Sequence, residues 1–113
     1  MGRSVKANPR GVVPPTLFTQ ETLDADASVT ANKIFFVDTS GGTVQVTLPP
    51  EPFPGDIIKI FDHTGSFSTN ACTVNPNSHK IMGVADNMTV STTRASFTLV
   101  YSGTANGWLV EAI

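Results

Sequence analysis

Residues 35–62 read FFVDTSGGTVQVTLPPEPFPGDIIKIFD, and the fold turns on how this stretch is read. Val44, Val46 and Leu48 alternate with Thr43, Gln45 and Thr47, a period of two that marks a strand with one buried face. Ahead of them Ile34, Phe35, Phe36 and Val37 form a continuous apolar run, the pattern of a strand covered on both faces. Asp38-Thr39-Ser40-Gly41-Gly42 lies between the two and supplies a turn: a carboxylate that accepts a local backbone N–H, then glycines free to take positive φ. The expectation is a hairpin. Pro49, Pro50, Pro52 and Pro54 then form a rigid corner, because a proline nitrogen has no hydrogen to offer a sheet ladder. Beyond it Ile57, Ile58, Ile60 and Phe61 flank Lys59 in a third strand.

The same rhythm continues on either side. Residues 16–23 predict a first short strand anchored by Leu17 and Phe18, and residues 24–27 a polar turn. Asn32-Lys33 predicts a local irregularity. After a turn at 62–65, short strands are expected at 72–74, 80–83 and 87–91. Phe97, Leu99 and Tyr101 alternate with Ser96, Thr98 and Val100 in a longer strand, and residues 108–113 close the domain after a glycine-bounded turn. Turn signals recur about every 8–12 residues, and no window sustains the 3.6-residue period of a helix. The expected fold is all-β: a compact antiparallel β-sandwich or barrel-like domain over residues 20–113, behind an extended arm over residues 1–19.

A chain of 113 residues holds one domain and one modest core. Charged residues make up 14% of it, against roughly 25% in an ordinary soluble domain, which suits a β-structure with extensive contact surface. The charge is unevenly placed. The first fifteen residues carry Arg3, Lys6 and Arg10 and no acid, whereas the rest carry four basic and nine acidic residues. This is a basic arm on an acidic body. The arm also has three prolines and no periodicity, so it is expected to be extended. Such a segment reads equally as a disordered tail; ordering about fifteen residues costs roughly 15–30 kcal/mol of backbone entropy, so it is held in place only where another surface contacts it. We read it as a docking arm whose contacts are Arg3, Lys6, Arg10, Val12, Val13, Leu17 and Phe18.

Most candidate chemistry fails on spacing. His63, His79 and Cys72 do not form the paired clusters of a zinc site, and the histidines read as exposed turn residues. Cys72 falls in an apolar strand and reads as a small core residue, and a single cysteine excludes an internal disulfide framework. Asp38, Asp56 and Asp62 stand at strand ends, where each has a plain use in accepting backbone N–H groups. There is no phosphate-binding loop and no nucleophile elbow. The body is acidic with scattered lysines, so nucleic acid is not an expected partner. No apolar run approaches the roughly 20 residues of a membrane span, and no secretory signal is expected; the sequon at Asn87-Met88-Thr89 then has no use. No catalytic residue, metal or cofactor is expected, and the chain reads as a non-enzyme.

The series Val37-Asp38-Thr39-Ser40-Gly41-Gly42, Val44-Gln45-Val46-Thr47-Leu48-Pro49, Gly55-Asp56, Asp62, Gly65, Phe67, Asn70, Thr73-Val74, Ile81-Met82-Gly83, Leu99-Val100-Tyr101 and Trp108 resembles a β-module of tailed-bacteriophage virion proteins. Such modules occur in tail fibres and in small head-decoration or neck-attachment proteins. The resemblance covers roughly residues 20–113 and implies a non-enzymatic, commonly homotrimeric β-structure located in the virion, with other virion proteins such as major capsid, neck or tail proteins as partners. The expected function is decoration or cementing of the head, or attachment at the neck, through the arm. The alternative is a tail-fibre component or receptor-binding tip that recognises host glycan, which needs exposed aromatic platforms; Phe67, Tyr101 and Trp108 are the candidates, although Tyr101 and Trp108 lie in apolar strands and core packing is the favoured reading of these rings.

Overall fold

The computed structural model describes residues 18–112. Among them are nine strands and no helix: β1 (Thr19–Leu23), β2 (Ala27–Ser28), β3 (Lys33–Val37), β4 (Val44–Thr47), β5 (Ile57–Asp62), β6 (Cys72–Asn75), β7 (Met88–Val90), β8 (Ser96–Tyr101) and β9 (Trp108–Glu111). They form two open sheets. The five-stranded sheet has the order β9-β8-β5-β3-β1 and the four-stranded sheet the order β2-β4-β6-β7.

The strand-rich expectation holds, but the antiparallel one is corrected. β1 pairs with β3 and β3 with β5, all parallel. β2 pairs with β4 and β4 with β6, again parallel. The hairpin expected from residues 34–48 is therefore absent: β3 and β4 follow each other in the chain but lie in different sheets. The chain climbs in three stacked coils, each laying one strand on each sheet. Only afterwards does it reverse, with β7 antiparallel to β6, β8 to β5 and β9 to β8. The sheets do not close into a barrel.

The turn residues do what their chemistry predicts, on a different errand. The Asp38 carboxylate accepts the Ser40 N–H at 2.8 Å, and the Gly42 N–H donates to the Thr39 carbonyl at 3.1 Å. Both features are compatible with a hairpin, but here they bend the chain from one sheet to the other. Corners of successive coils stack, because the ladder runs on into them. The Asp38 N–H reaches the Leu23 carbonyl and the His63 N–H reaches the Val37 carbonyl; in the other sheet Leu48 N–H reaches Asn75. Asn32, the expected irregularity, takes a left-handed backbone (φ 63°) and exchanges hydrogen bonds with Ile57.

The core lies between the sheets. Phe35, Val37, Ile58, Ile60, Phe97 and Leu99 face inward from one side, and Val44, Val46, Cys72, Val74 and Val90 from the other. Phe67, Tyr101 and Trp108 complete it. The strand expected at 80–83 is not formed; Ile81 makes only single bridges, to Val84 and to Trp108. Gly107 allows this close approach. Its φ is +71°, and a Cβ there would strike the Lys80 carbonyl, which accepts the Trp108 N–H at 2.7 Å.

Candidate functional site

The two faces of the five-stranded sheet carry different rows of side chains, because neighbours along a strand point to opposite sides. Ile58, Ile60 and Leu99 are fully buried and point inward, so Ile57, Lys59, Phe61, Thr98 and Val100 point outward. The register sets them in rows. Ile57 is opposite Val100, and Val100 opposite Leu109; Lys59 is opposite Thr98, and Thr98 opposite Glu111. On the other side Ile34 lies beside Lys59 and Phe36 beside Phe61. The Phe36 and Phe61 rings sit 5.7 Å apart, and His63 lies 5.6 Å from Phe36. The Lys59 ammonium stands over the Phe18 ring at 5.7 Å. Phe61 and Leu109 are 38% and 43% exposed. Apolar side chains on β3, β5, β8 and β9 share this face with Lys59, Ser96, Thr98 and Glu111, and β1 adds the polar Gln20 and Thr22.

Its border at β9 is apolar too. Met82 donates its N–H to the Trp108 carbonyl at 2.8 Å, and its sulfur accepts the Val110 N–H at 3.2 Å. The Met82 and Val84 side chains remain exposed. Of the large apolar residues exposed in the described chain, only Phe53, in the proline corner, lies outside this face and its border.

The polar residues singled out by sequence are committed to the scaffold. Asp62 occupies an inward position in the third coil, in register with Leu23 and Val37 in the first two. Its carboxylate accepts the N–H groups of Ser66 at 3.0 Å, Phe67 at 3.2 Å and Arg94 at 2.8 Å. Burial pushes its pKa up, but the N–H groups of Arg94, Phe67, Ser66 and Gly65 outweigh burial and hold it below the ordinary 3.8. One buried carboxylate thus ties the 62–67 loop to the turn before β8. Asp38 stands at the same corner, its carboxyl held low by Ser40 and Thr64. Asp56 is at the opposite end of β5 and accepts the Phe53 N–H at 2.9 Å. The three carboxylates do not converge, and no group of three or more metal-ligating side chains occurs among the described residues.

Cys72 is fully buried, and burial, aided by the charge of Asp62, pushes its thiol up to about 12. His63 is exposed as expected, but His79 is not a free turn residue. Its Nε2–H donates to the Pro50 carbonyl at 2.8 Å, and Nδ1 shares a hydrogen bond with the Tyr101 hydroxyl at 3.2 Å. The imidazole meets the Tyr101 ring edge-on and bolts the proline corner to β8.

The three candidate glycan-platform aromatics follow the core reading instead. Phe67 and Trp108 are fully buried and Tyr101 is 3% exposed, so none offers a ring face to a sugar. Apolar inward alternation decides this: all three complete the inter-sheet core. Phe18 is partly buried against Lys59; the other arm residues, Arg3, Lys6, Arg10, Val12, Val13 and Leu17, lie outside the described residues. A shallow groove of about 510 Å³ is lined by Asp24, Ala25, Asp26 and residues 41–43, where Asp26 is already bonded to the Gln45 N–H.

The outward rows were missed as a site, although the signal is present. Residues 34–37 and 57–61 are apolar at nearly every position, not at alternate ones. In a two-sheet fold one face of such a strand fills the core, and the other is left on the outer surface of its sheet. No protein-family profile matches this chain, and no curated protein matches it either.

Proposed function

We propose that this chain is a non-enzymatic structural protein of a bacteriophage virion, decorating or cementing the head, or attaching at the neck, through its N-terminal arm. The observation that carries the reading is how the chain spends its side chains. Asp38, Asp56 and Asp62 hold backbone turns, Cys72 is sealed in the core and His79 fastens a corner. Apolar side chains, by contrast, stand outward on four of the five strands of one sheet, β3, β5, β8 and β9. Such an allocation favours association over turnover. The functional unit is a homotrimer in the virion, and its partners are other virion proteins such as major capsid, neck or tail proteins.

In this reading Arg3, Lys6 and Arg10 meet acidic groups on the docking partner, with Val12, Val13, Leu17 and Phe18 as apolar anchors. Many modest contacts held at high local concentration give a cement its strength. The glycan-binding tip loses its support, since its three aromatic candidates are core residues. Deleting residues 1–15 tests the reading. The expected outcome is a folded, soluble body that no longer binds particles lacking the protein; undiminished binding would overturn the arm's role.

A further inference from the structure

We propose that the outward face of the five-stranded sheet is where copies of this chain meet one another, packed about a rotation axis that runs along β8. The occupant follows from charge placement. Lys59 on β5 and Glu111 on β9 both stand opposite Thr98 on β8, one on each side of it. Neither makes an ion pair within the described chain, whose salt bridge joins Lys33 to Glu21.

An axis along β8 sets the β5 side of each copy against the β9 side of the next, for two copies or three. Lys59 then meets Glu111 of the neighbour, and the contact recurs at every junction of the ring. The row below behaves in the same way. Ile57 and Leu109 flank Val100, so apolar meets apolar between copies, while Val100 from each copy gathers at the axis. A registry that separates Lys59 from Glu111 gives up this pairing, and a charge buried at the contact without a partner is costly. Further out, Ile34 and Phe36 on β3 lie on the side that faces the neighbour's β9 border, where Met82 and Val84 are exposed. Strand direction is kept across the contact, as in aligned packing of two sheets.

The proposal rests on the assembly reading only in taking a second copy as partner, and it is tested on the purified, complete chain without particles. Its failure therefore leaves particle binding by the arm untouched. Sedimentation equilibrium is run on the wild type, Lys59→Glu, Glu111→Lys, the double charge swap and Val100→Glu, with circular dichroism to confirm the fold. The wild type is expected as a closed oligomer. Each single charge reversal weakens association by about tenfold or more by setting like charges together, and the double swap restores it. Val100→Glu abolishes it. A monomeric wild type at the highest concentration reached overturns the proposal. So does an oligomer indifferent to all four variants, whose contacts must lie elsewhere, and so does a double swap that fails to restore what both singles lose.

Discussion

The inward and outward faces of the five-stranded sheet are built from the same strands, and both carry large apolar side chains. Inward, Phe35, Val37, Ile58, Ile60 and Leu99 are at most 1% exposed, and each meets the facing sheet. Outward, Phe61 and Leu109 are 38% and 43% exposed, and Ile34, Phe36, Ile57 and Val100 are half-buried only by their neighbours. Large apolar side chains alone therefore do not distinguish the two faces. Polar ones do: the outward rows carry Lys59, Thr98 and Glu111, whereas the inward carboxylate of Asp62 is saturated by backbone N–H groups.

Substitution of adjacent residues on one strand isolates the two roles. Ile60→Ala empties a fully buried inward position and should cost about 2–5 kcal/mol in urea unfolding. Phe61→Ala, one residue on and outward, should cost less than about 1 kcal/mol when measured at a dilution where the chain is monomeric. Equal losses from the two would erase the distinction between the faces. Asp62→Ala strips the acceptor from three N–H groups and should cost about 3 kcal/mol near neutral pH. The pH dependence has a definite sign. Because the folded carboxyl titrates below its ordinary value, its stabilisation is complete above about pH 4 and fades as pH falls through the folded pKa. The gap in stability between wild type and Asp62→Ala should accordingly narrow in acid, and a gap constant from neutral pH to pH 2 would contradict this role.

A smaller effect, of opposite sign, is expected at Thr39. Its hydroxyl is buried with no hydrogen-bond partner, so Thr39→Val keeps the shape, removes an unsatisfied group and should raise stability by about 1 kcal/mol. Cys72 provides the most sensitive readout of all. With its thiol pushed up to about 12, native protein should resist thiol-directed reagents at neutral pH and react only as it unfolds.

The sequence makes the strands legible and leaves their pairing hidden. The period-two pattern of Val44, Val46 and Leu48 places those residues inward, as observed, and Asp38 with Gly42 marks a real turn. A turn that reverses a strand within one sheet and a corner that carries it to another call on the same local chemistry, so the expected hairpin and the observed coil look alike over residues 38–43. What distinguishes them is non-local. β4 pairs with β6, 28 residues on from Val44 to Cys72, and no short-range signal encodes that distance. The continuous apolar runs at 34–37 and 57–61 are the nearest sequence mark of parallel pairing, and they mark the outward face as well. At the level of single residues, the apolar strands around Tyr101 and Trp108 already favour core packing over a sugar platform, and the inward turn of β8 and β9 buries both rings.

The central claim is that the outward face completes its burial only against another copy, and thermal unfolding over a wide range of protein concentration tests it most directly. Association of the native state raises its apparent stability by mass action. The midpoint of the wild type should climb with concentration, while that of Val100→Glu stays flat. A wild-type midpoint independent of concentration would show that the outward rows need no partner and would contradict the account.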